Sequence, residues 1–212
     1  VQARRAFLSA GHYAPLQQAV VEKIRSLRIE NLLDIGCGEG YYTNAMQAEV
    51  LQCVGVDIAK NAVQVAAKLN KDVTWVVGTG ATLPVLDKSI DLCTSLFSPI
   101  PKEEILRVLK PEAYLMVVTP GPQHLFAMRE ALFEEVKAHE PQKFVEQLKD
   151  AFELVSEDIV DAAMCLHQTD LKHLIAMTPY AYKAKPERRQ ALEQQDQFPL
   201  NAQYQIYLFQ KK

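Results

Sequence analysis

Three glycines at alternate positions, Gly36, Gly38 and Gly40, follow a short apolar run (Leu32, Leu33, Ile35) and precede a helical pattern that begins at Tyr41. Strand, glycine turn, helix is the order by which an α/β sheet brings its backbone close to a nucleotide-like ligand. Glycine is needed there because the turn takes unusual backbone angles and leaves no room for side chains. The spacing is G-x-G-x-G rather than the G-x-G-x-x-G that holds a pyrophosphate at a helix N-terminus. Two carboxylates flank it, Asp34 before the first glycine and Glu39 within the turn. They suit a ligand with cationic groups, such as an amine and a sulfonium. A third acid, Asp57, ends the run C-V-G-V-D about 20 residues after the turn, where a carboxylate reaches the ribose hydroxyls of a nucleoside. Asp57 serves an adenosyl ligand and a dinucleotide equally well.

Other candidates lie at similar strand ends. Gly11-His12-Tyr13 forms a turn upstream of the first strand, and Tyr13 either folds over a ligand or simply packs. Phe97, in F-S-P-I-P, ends an apolar strand and either stacks on a target base or joins the core. Pro120-Gly121-Pro122 makes a rigid turn that fixes the direction of His124. Near the end, Tyr180, Tyr182, Lys183, Lys185, Arg188 and Arg189 interleave aromatic and basic side chains, a mixture that suits stacking and phosphate contact with RNA. A solvated basic face is the ordinary outcome of such a run.

The elements that must position these residues alternate. Residues 3–10 and a segment reaching Leu27 read as helices. Strands are expected at 31–35, 53–57, 73–77, 89–97 and 114–119, with helices at 41–50, to about Leu69, at 103–111, and from Leu125 to about His139. The run 89–97 is almost unbroken in its apolarity, as a central parallel strand requires; Asp91 near its start reads as structural. Phe152–Val160 is a sixth strand and Tyr204–Phe209 a seventh, separated by an excursion over 157–202 with a helix at about 170–176. The expected division is an N-terminal helical segment over 1–30 that covers the ligand site, and a catalytic domain over 31–212.

A chain of 212 residues with 49% hydrophobic content builds one good core. Its net charge of −3 leaves no overall basic footprint for nucleic acid, so RNA contact needs local patches or a further part of the protein. Cys37, Cys53, Cys93 and Cys165 are widely spaced without a C-x-x-C pair, which reads as packed, reduced thiols in a cytoplasmic protein and not as a metal site. No run is long enough to cross a membrane and no signal peptide opens the chain. Val1 in place of an initiator methionine suggests a segment upstream.

The motif L-D-I-G-C-G-E-G-Y-Y-T resembles motif I of class I S-adenosylmethionine (SAM)-dependent methyltransferases, whose Rossmann-like α/β fold has a seven-stranded, mostly parallel sheet with an antiparallel last strand and helices on both faces. In the related G-D-A-x-x-L-P pattern the aspartate meets the adenine amino group; here Thr79 stands in its place, while Leu83 and Pro84 fit the apolar rim. L-x-R-V-L-K-P is present, but Glu112-Ala113 replace the two glycines that usually follow. More specifically, Q-A-R-R-A-F-L-x-A-G-H-Y-x-P-L, the glycine motif, T-P-G-P-x-H-L and M-T-P-[FY]-A together resemble the bacterial 23S ribosomal RNA (guanine-N1)-methyltransferases, from Gln2 to the end of the chain. The resemblance implies SAM as cofactor, bound by Tyr13, Gly38, Glu39 and His124 together with Asp34, Gly36, Gly40 and Asp57, and one guanine of a 23S rRNA stem-loop as substrate. It also implies a zinc-binding module upstream, macrolide-type antibiotic resistance in some relatives, and no metal within this chain. No side chain stands out as a general base. On residues alone, a small-molecule methyltransferase, a NAD-dependent oxidoreductase and a non-catalytic SAM- or RNA-binding module stay open, as does a homodimer.

Overall fold

β1 (Asn31–Ile35) lies at the centre of the sheet because its apolar residues are buried on both faces, Leu32 and Leu33 completely. In the computed structural model, which describes residues 2–212, it pairs in parallel with β2 (Gln52–Asp57) and β4 (Ile90–Leu96). β2 pairs with β3 (Thr74–Val77), and β4 with β5 (Leu109–Pro120), again in parallel. With β6 (Phe152–Leu166) and β7 (Phe198–Lys211) the strand order is β3-β2-β1-β4-β5-β7-β6. Backbone bonds from Gly121 to Gln203 and from Leu125 to Asn201 show the chain leaving β5 running antiparallel to β7. The class I methyltransferase sheet expected from the sequence is therefore present, its last strand inserted beside β5.

The chain folds as two compact units that do not divide at one point in the sequence. The larger comprises Gln17–Thr119, Pro141–Asp158 and Gln205–Lys212. It holds α2 (Ala14–Leu27) from Gln17 on, α3 (Tyr41–Gln47), α4 (Lys60–Leu69), α5 (Lys102–Val108) and α7 (Lys143–Leu148). Its core runs through Leu33, Ile35, Val56, Cys93, Leu115, Val117, Phe152, Tyr207 and Phe209. The smaller comprises Val1–Leu16, Pro120–Glu140 and Ile159–Tyr204. There α1 (Gln2–Ser9) packs on α8 (Gln168–Met177), and His12 Nε2 meets Asp170 Oδ2 at 2.8 Å. α6 (Phe126–Leu132) and α10 (Pro186–Glu193) also pack together, and α9 (Tyr180–Lys183) is a single turn.

Three elements depart from the sequence expectation. The helix expected to reach His139 stops at Leu132, and Phe133 is extended. Downstream backbone finds partners outside a helix: Arg129 donates to the Lys137 carbonyl and the His139 amide to that of Pro122, while Pro141 disfavours helix at Glu140. The excursion between the last two strands covers 167–197 instead of 157–202, because both strands are longer. The polar outer part of β6 hid this; there Asp161 accepts bonds from Asn201 and Gln203 of β7. Finally, β5 starts directly after α5, with Glu112 at φ 59° where the resembled family carries glycine.

Candidate functional site

In the larger unit the glycine turn is clamped from two sides. Gly36, Gly38 and Gly40 have φ of 80°, 56° and 82°, the left-handed region that side chains resist. A Cβ on Gly36 would lie 2.5 Å from Cβ of Ser98, and one on Gly40 2.5 Å from the Trp75 ring. Ser98 is itself fixed, donating to the Ile35 carbonyl at 2.6 Å and sharing a hydroxyl contact with Ser95 at 2.9 Å. A Cβ on Gly38, by contrast, would meet nothing within 4 Å. The turn therefore packs on its outer glycines and opens at the middle one.

The three acids divide the work. Asp34 is buried, its Oδ1 accepting from Thr94 at 2.8 Å and its Oδ2 from Thr43 at 2.6 Å. Burial pushes its carboxyl up to about 6, against those two hydroxyls and aided by the nearby charge of Asp57. Its oxygens pin α3 and β4 to the end of β1. Asp57 is half-buried, Oδ2 accepting the Gly38 amide and Oδ1 the Ala59 amide, each at 2.8 Å. It ties the open glycine to the end of β2 and retains lone pairs for hydroxyl donors. Glu39 forms no hydrogen bond or ion pair with the described residues, so it is the acid left for a cationic group.

Around this opening the sequence reading missed Ile58, which is 77% exposed immediately after Asp57; Val77, at the end of β3, is also exposed. Apolar side chains held in water at the carboxyl ends of two neighbouring strands suit the flat face of a base. An isoleucine following the strand-end acid was the available signal. Thr79 is exposed and bonds locally, its hydroxyl accepting the Ala81 amide at 3.2 Å. Leu83 is buried in the core, leaving Pro84 exposed; Glu104 accepts the Leu83 amide and Arg107 donates to the Leu83 carbonyl. Phe97 adopts φ 58° at the end of β4 and is partly exposed, its ring 6.4 Å from that of Tyr42. A bulky residue in the left-handed region at a ligand-binding edge marks a constrained position. Open backbone at Gly38, a free carboxylate, a ribose-height acid and an apolar border together fit a cationic adenosyl ligand.

Tyr13 and His124 are brought together in the smaller unit. The Tyr13 ring meets Tyr204 edge-on at 5.3 Å, and Tyr204 lies 5.0 Å from the His124 ring. Burial raises the Tyr13 hydroxyl to about 12. The rigid turn directs His124 as expected: a Cβ on Gly121 would strike Gln203 at 2.7 Å, so only glycine lets the turn approach β7. His124 Nδ1 then lies 2.8 Å from the Gln203 carbonyl. Since a carbonyl only accepts, Nδ1 carries the proton and Nε2 keeps its lone pair. Burial brings the imidazole down to about 3, with the His139 and Arg129 charges adding to it and the Gln203 bond opposing. Tyr204 was read only as the start of a strand.

The basic run is partly spoken for. Lys185 pairs with Glu134 at 2.6 Å, Arg189 with Glu193 at 2.7 Å, and Arg188 donates to the Phe133 carbonyl. The Tyr180 hydroxyl lies 3.3 Å from His139 Nε2. Lys183 is exposed without a partner among the described residues, and Tyr182 is 88% exposed. Cys37, Cys53 and Cys93 are buried and their thiols are pushed up by burial; Cys165 is exposed. Among the described residues no cluster of histidine, cysteine and acid is arranged to hold a metal ion, and no helix is long and apolar enough to cross a membrane.

Comparison with known proteins identifies the fold and the family. Residues 33–117 match the family described as "Methyltransferase domain". The 23S rRNA (guanine(748)-N(1))-methyltransferase of Streptomyces fradiae is 31% identical over 195 residues, 88% of this chain and 70% of that protein. Among solved structures, the YcgJ protein of Bacillus subtilis superposes with a TM-score of 0.62 at 18% identity, covering 92% of this chain and 97% of that one. A geranyl diphosphate methyltransferase in complex with SAM gives 0.57 at 13% identity, covering 92% and 85%. These two show the fold alone. The fold and the relatives together establish that this chain belongs to the 23S rRNA (guanine-N1)-methyltransferase family of class I SAM-dependent methyltransferases.

Proposed function

We propose that this chain methylates N1 of one guanine in a 23S rRNA stem-loop, using SAM. The observation that carries the reading is its similarity, over most of both chains, to the Streptomyces fradiae enzyme named for that reaction. SAM supplies an already activated methyl, so the protein's task is alignment and exclusion of water. Glu39 faces the ligand's cationic end, Asp57 receives the ribose hydroxyls, and Ile58 and Val77 border the adenine. Asp34 acts from behind by holding the turn. Tyr13 and His124 take the methionine end; His124, with Nε2 unprotonated, accepts a hydrogen bond from the ammonium.

Guanine N1 must lose its proton as the methyl arrives. His124 is not the base for that step, since its ring is brought down to about 3 and its one lone pair, at Nε2, is turned to the ammonium. Alignment therefore contributes most of the acceleration. The target base leaves its stack to reach the carboxyl edge of the sheet, where Phe97 stacks on it, and Tyr180, Lys183, Lys185, Arg188 and Arg189 follow the RNA backbone. The setting for this reaction is the cytoplasm.

The test combines labelled SAM with 23S rRNA fragments, followed by reverse transcription, since an N1-methyl blocks base pairing. A stop one nucleotide before a single guanine is expected. Label on N7, on ribose, or only on small acceptors would overturn the reading.

A further inference from the structure

Arg129 is 5% exposed, yet its guanidinium is served by one carbonyl, that of Lys137, at 2.8 Å from Nη1. Nε and Nη2 are buried without a hydrogen-bond partner, and no carboxylate lies within ion-pair distance among the described residues. The Phe126 ring, 5.6 Å away, offers weak compensation. A desolvated guanidinium normally sits against an anion, because the cost of taking it out of water is otherwise left standing.

The unused edge is a specific one. Nε and Nη2 point in parallel and form the side of the guanidinium that grips two oxygens of a carboxylate or phosphate. Two other arginines of the chain use this same edge: Arg25 on Glu49, at 3.0 and 2.8 Å, and Arg107 on Glu104, at 2.8 and 2.8 Å. In Arg129 that edge is buried and meets no acceptor among the described residues. Beside it stand His139 and Tyr180, themselves 3.3 Å apart, and the charge of Arg129 is felt at both and at His124. None of these neighbours is an anion, and all can donate. Glu134, the acid two residues beyond α6, is taken by Lys185. His139 and Tyr180 are half-exposed where Arg129 is buried, so they are the solvent-facing members of the group.

We propose that Arg129, flanked by His139 and Tyr180, is the receptor for an oxyanion that arrives with a substrate, either an RNA phosphodiester or the carboxylate of SAM. The choice between these sources rests on the function proposed above; the oxyanion site itself does not.

The first measurement is thermal unfolding of the chain in increasing inorganic phosphate at constant ionic strength. The wild type is expected to gain Tm and Arg129→Met to gain none. The second compares calorimetric binding of SAM, of SAM lacking its carboxylate, and of an rRNA stem-loop at one salt concentration. A loss of about ten- to a hundred-fold in Arg129→Met, the scale of a charged hydrogen bond, is expected for one natural ligand. If SAM weakens while its decarboxylated form does not, the carboxylate is the occupant; if only the stem-loop weakens, it is a phosphodiester. Should Arg129→Met fail to fold, Tyr180→Phe and His139→Gln serve, each with a smaller loss. Unchanged phosphate response, SAM affinity and RNA affinity in the variants that fold would overturn the proposal. A chain that never methylates rRNA yet loses phosphate and SAM binding on substitution would overturn only the proposed reaction.

Discussion

At the glycine turn of the larger unit two acids are bonded before any ligand arrives, whereas in the smaller unit a buried arginine keeps donors without an acceptor among the described residues. Around the glycine turn, both oxygens of Asp34 receive hydroxyls and both oxygens of Asp57 receive amides. The free group there is Glu39, at the border with solvent. In the smaller unit, Arg129 keeps two buried nitrogens unserved, and His124 is buried as a neutral ring with one nitrogen committed. The acidic region is preorganised for a cation, and the basic region lacks an anion. Each region can be attacked separately.

The largest effect is expected at the outer glycines. Gly36→Ala must tolerate φ 80° and a Cβ 2.5 Å from Ser98. Left-handed strain costs about 1–2 kcal/mol and overpacking about 1–3 kcal/mol, so denaturant unfolding is expected to show a loss of about 2–5 kcal/mol. Gly38→Ala, with open space around its Cβ, should lose only the strain of about 1–2 kcal/mol and yet abolish most SAM binding. If calorimetry finds SAM bound normally by Gly38→Ala, the opening is not the ligand's place.

Acidity separates the two regions by sign. Asp34 is raised to about 6 from an ordinary 3.8, so its contribution is fullest below pH 4 and is lost as pH rises through 6. His124 is lowered to about 3 from 6.5, so its contribution is present above pH 6.5 and is lost as pH falls towards 3. Each amounts to a few kcal/mol at most. Between pH 4 and 6.5, Asp34→Asn should therefore lose stability on acidification more steeply than the wild type, and His124→Asn less steeply. Parallel pH profiles for both variants would erase the contrast.

Next in size, Asp57→Asn should weaken SAM by about ten- to a hundred-fold and also lower Tm, because its oxygens hold Gly38 and Ala59. Glu39→Gln should weaken SAM with Tm unchanged, having no internal partner to lose. A stability loss in Glu39→Gln would show that this acid belongs to the frame and not to the opening.

How far these differences could be read in advance depended on how local their causes are. The turn was legible because strand, glycines and acid lie within a few residues, each with its own steric or electrostatic reason. The strand order followed for the same reason, and the similarity to known relatives agrees. Asp34 was read towards the ligand because nothing in the sequence shows Thr43 and Thr94 converging on it from two other elements. The end of α6 at Leu132 was hidden too, since the groups that break the helix act through tertiary bonds to Lys137 and Pro122. Arg129 looked like one more helical arginine, and only its burial singles it out.

The smallest effect concerns the exposed basic run, where the comparison predicts almost no stability at stake. Lys185 and Glu134 are both largely exposed, so Lys185→Ala should change Tm hardly at all, the pair being worth about 0–1 kcal/mol. Lys183→Ala, with no partner to lose, should change it less. If these lysines touch RNA phosphates, each substitution should lower the salt dependence of stem-loop binding by about 0.7 in the slope of log affinity against log salt. Lys185 must first give up Glu134, so Glu134→Gln should strengthen RNA binding while leaving SAM binding alone. Unchanged slopes in both lysine variants would place the RNA elsewhere and leave this face merely solvated.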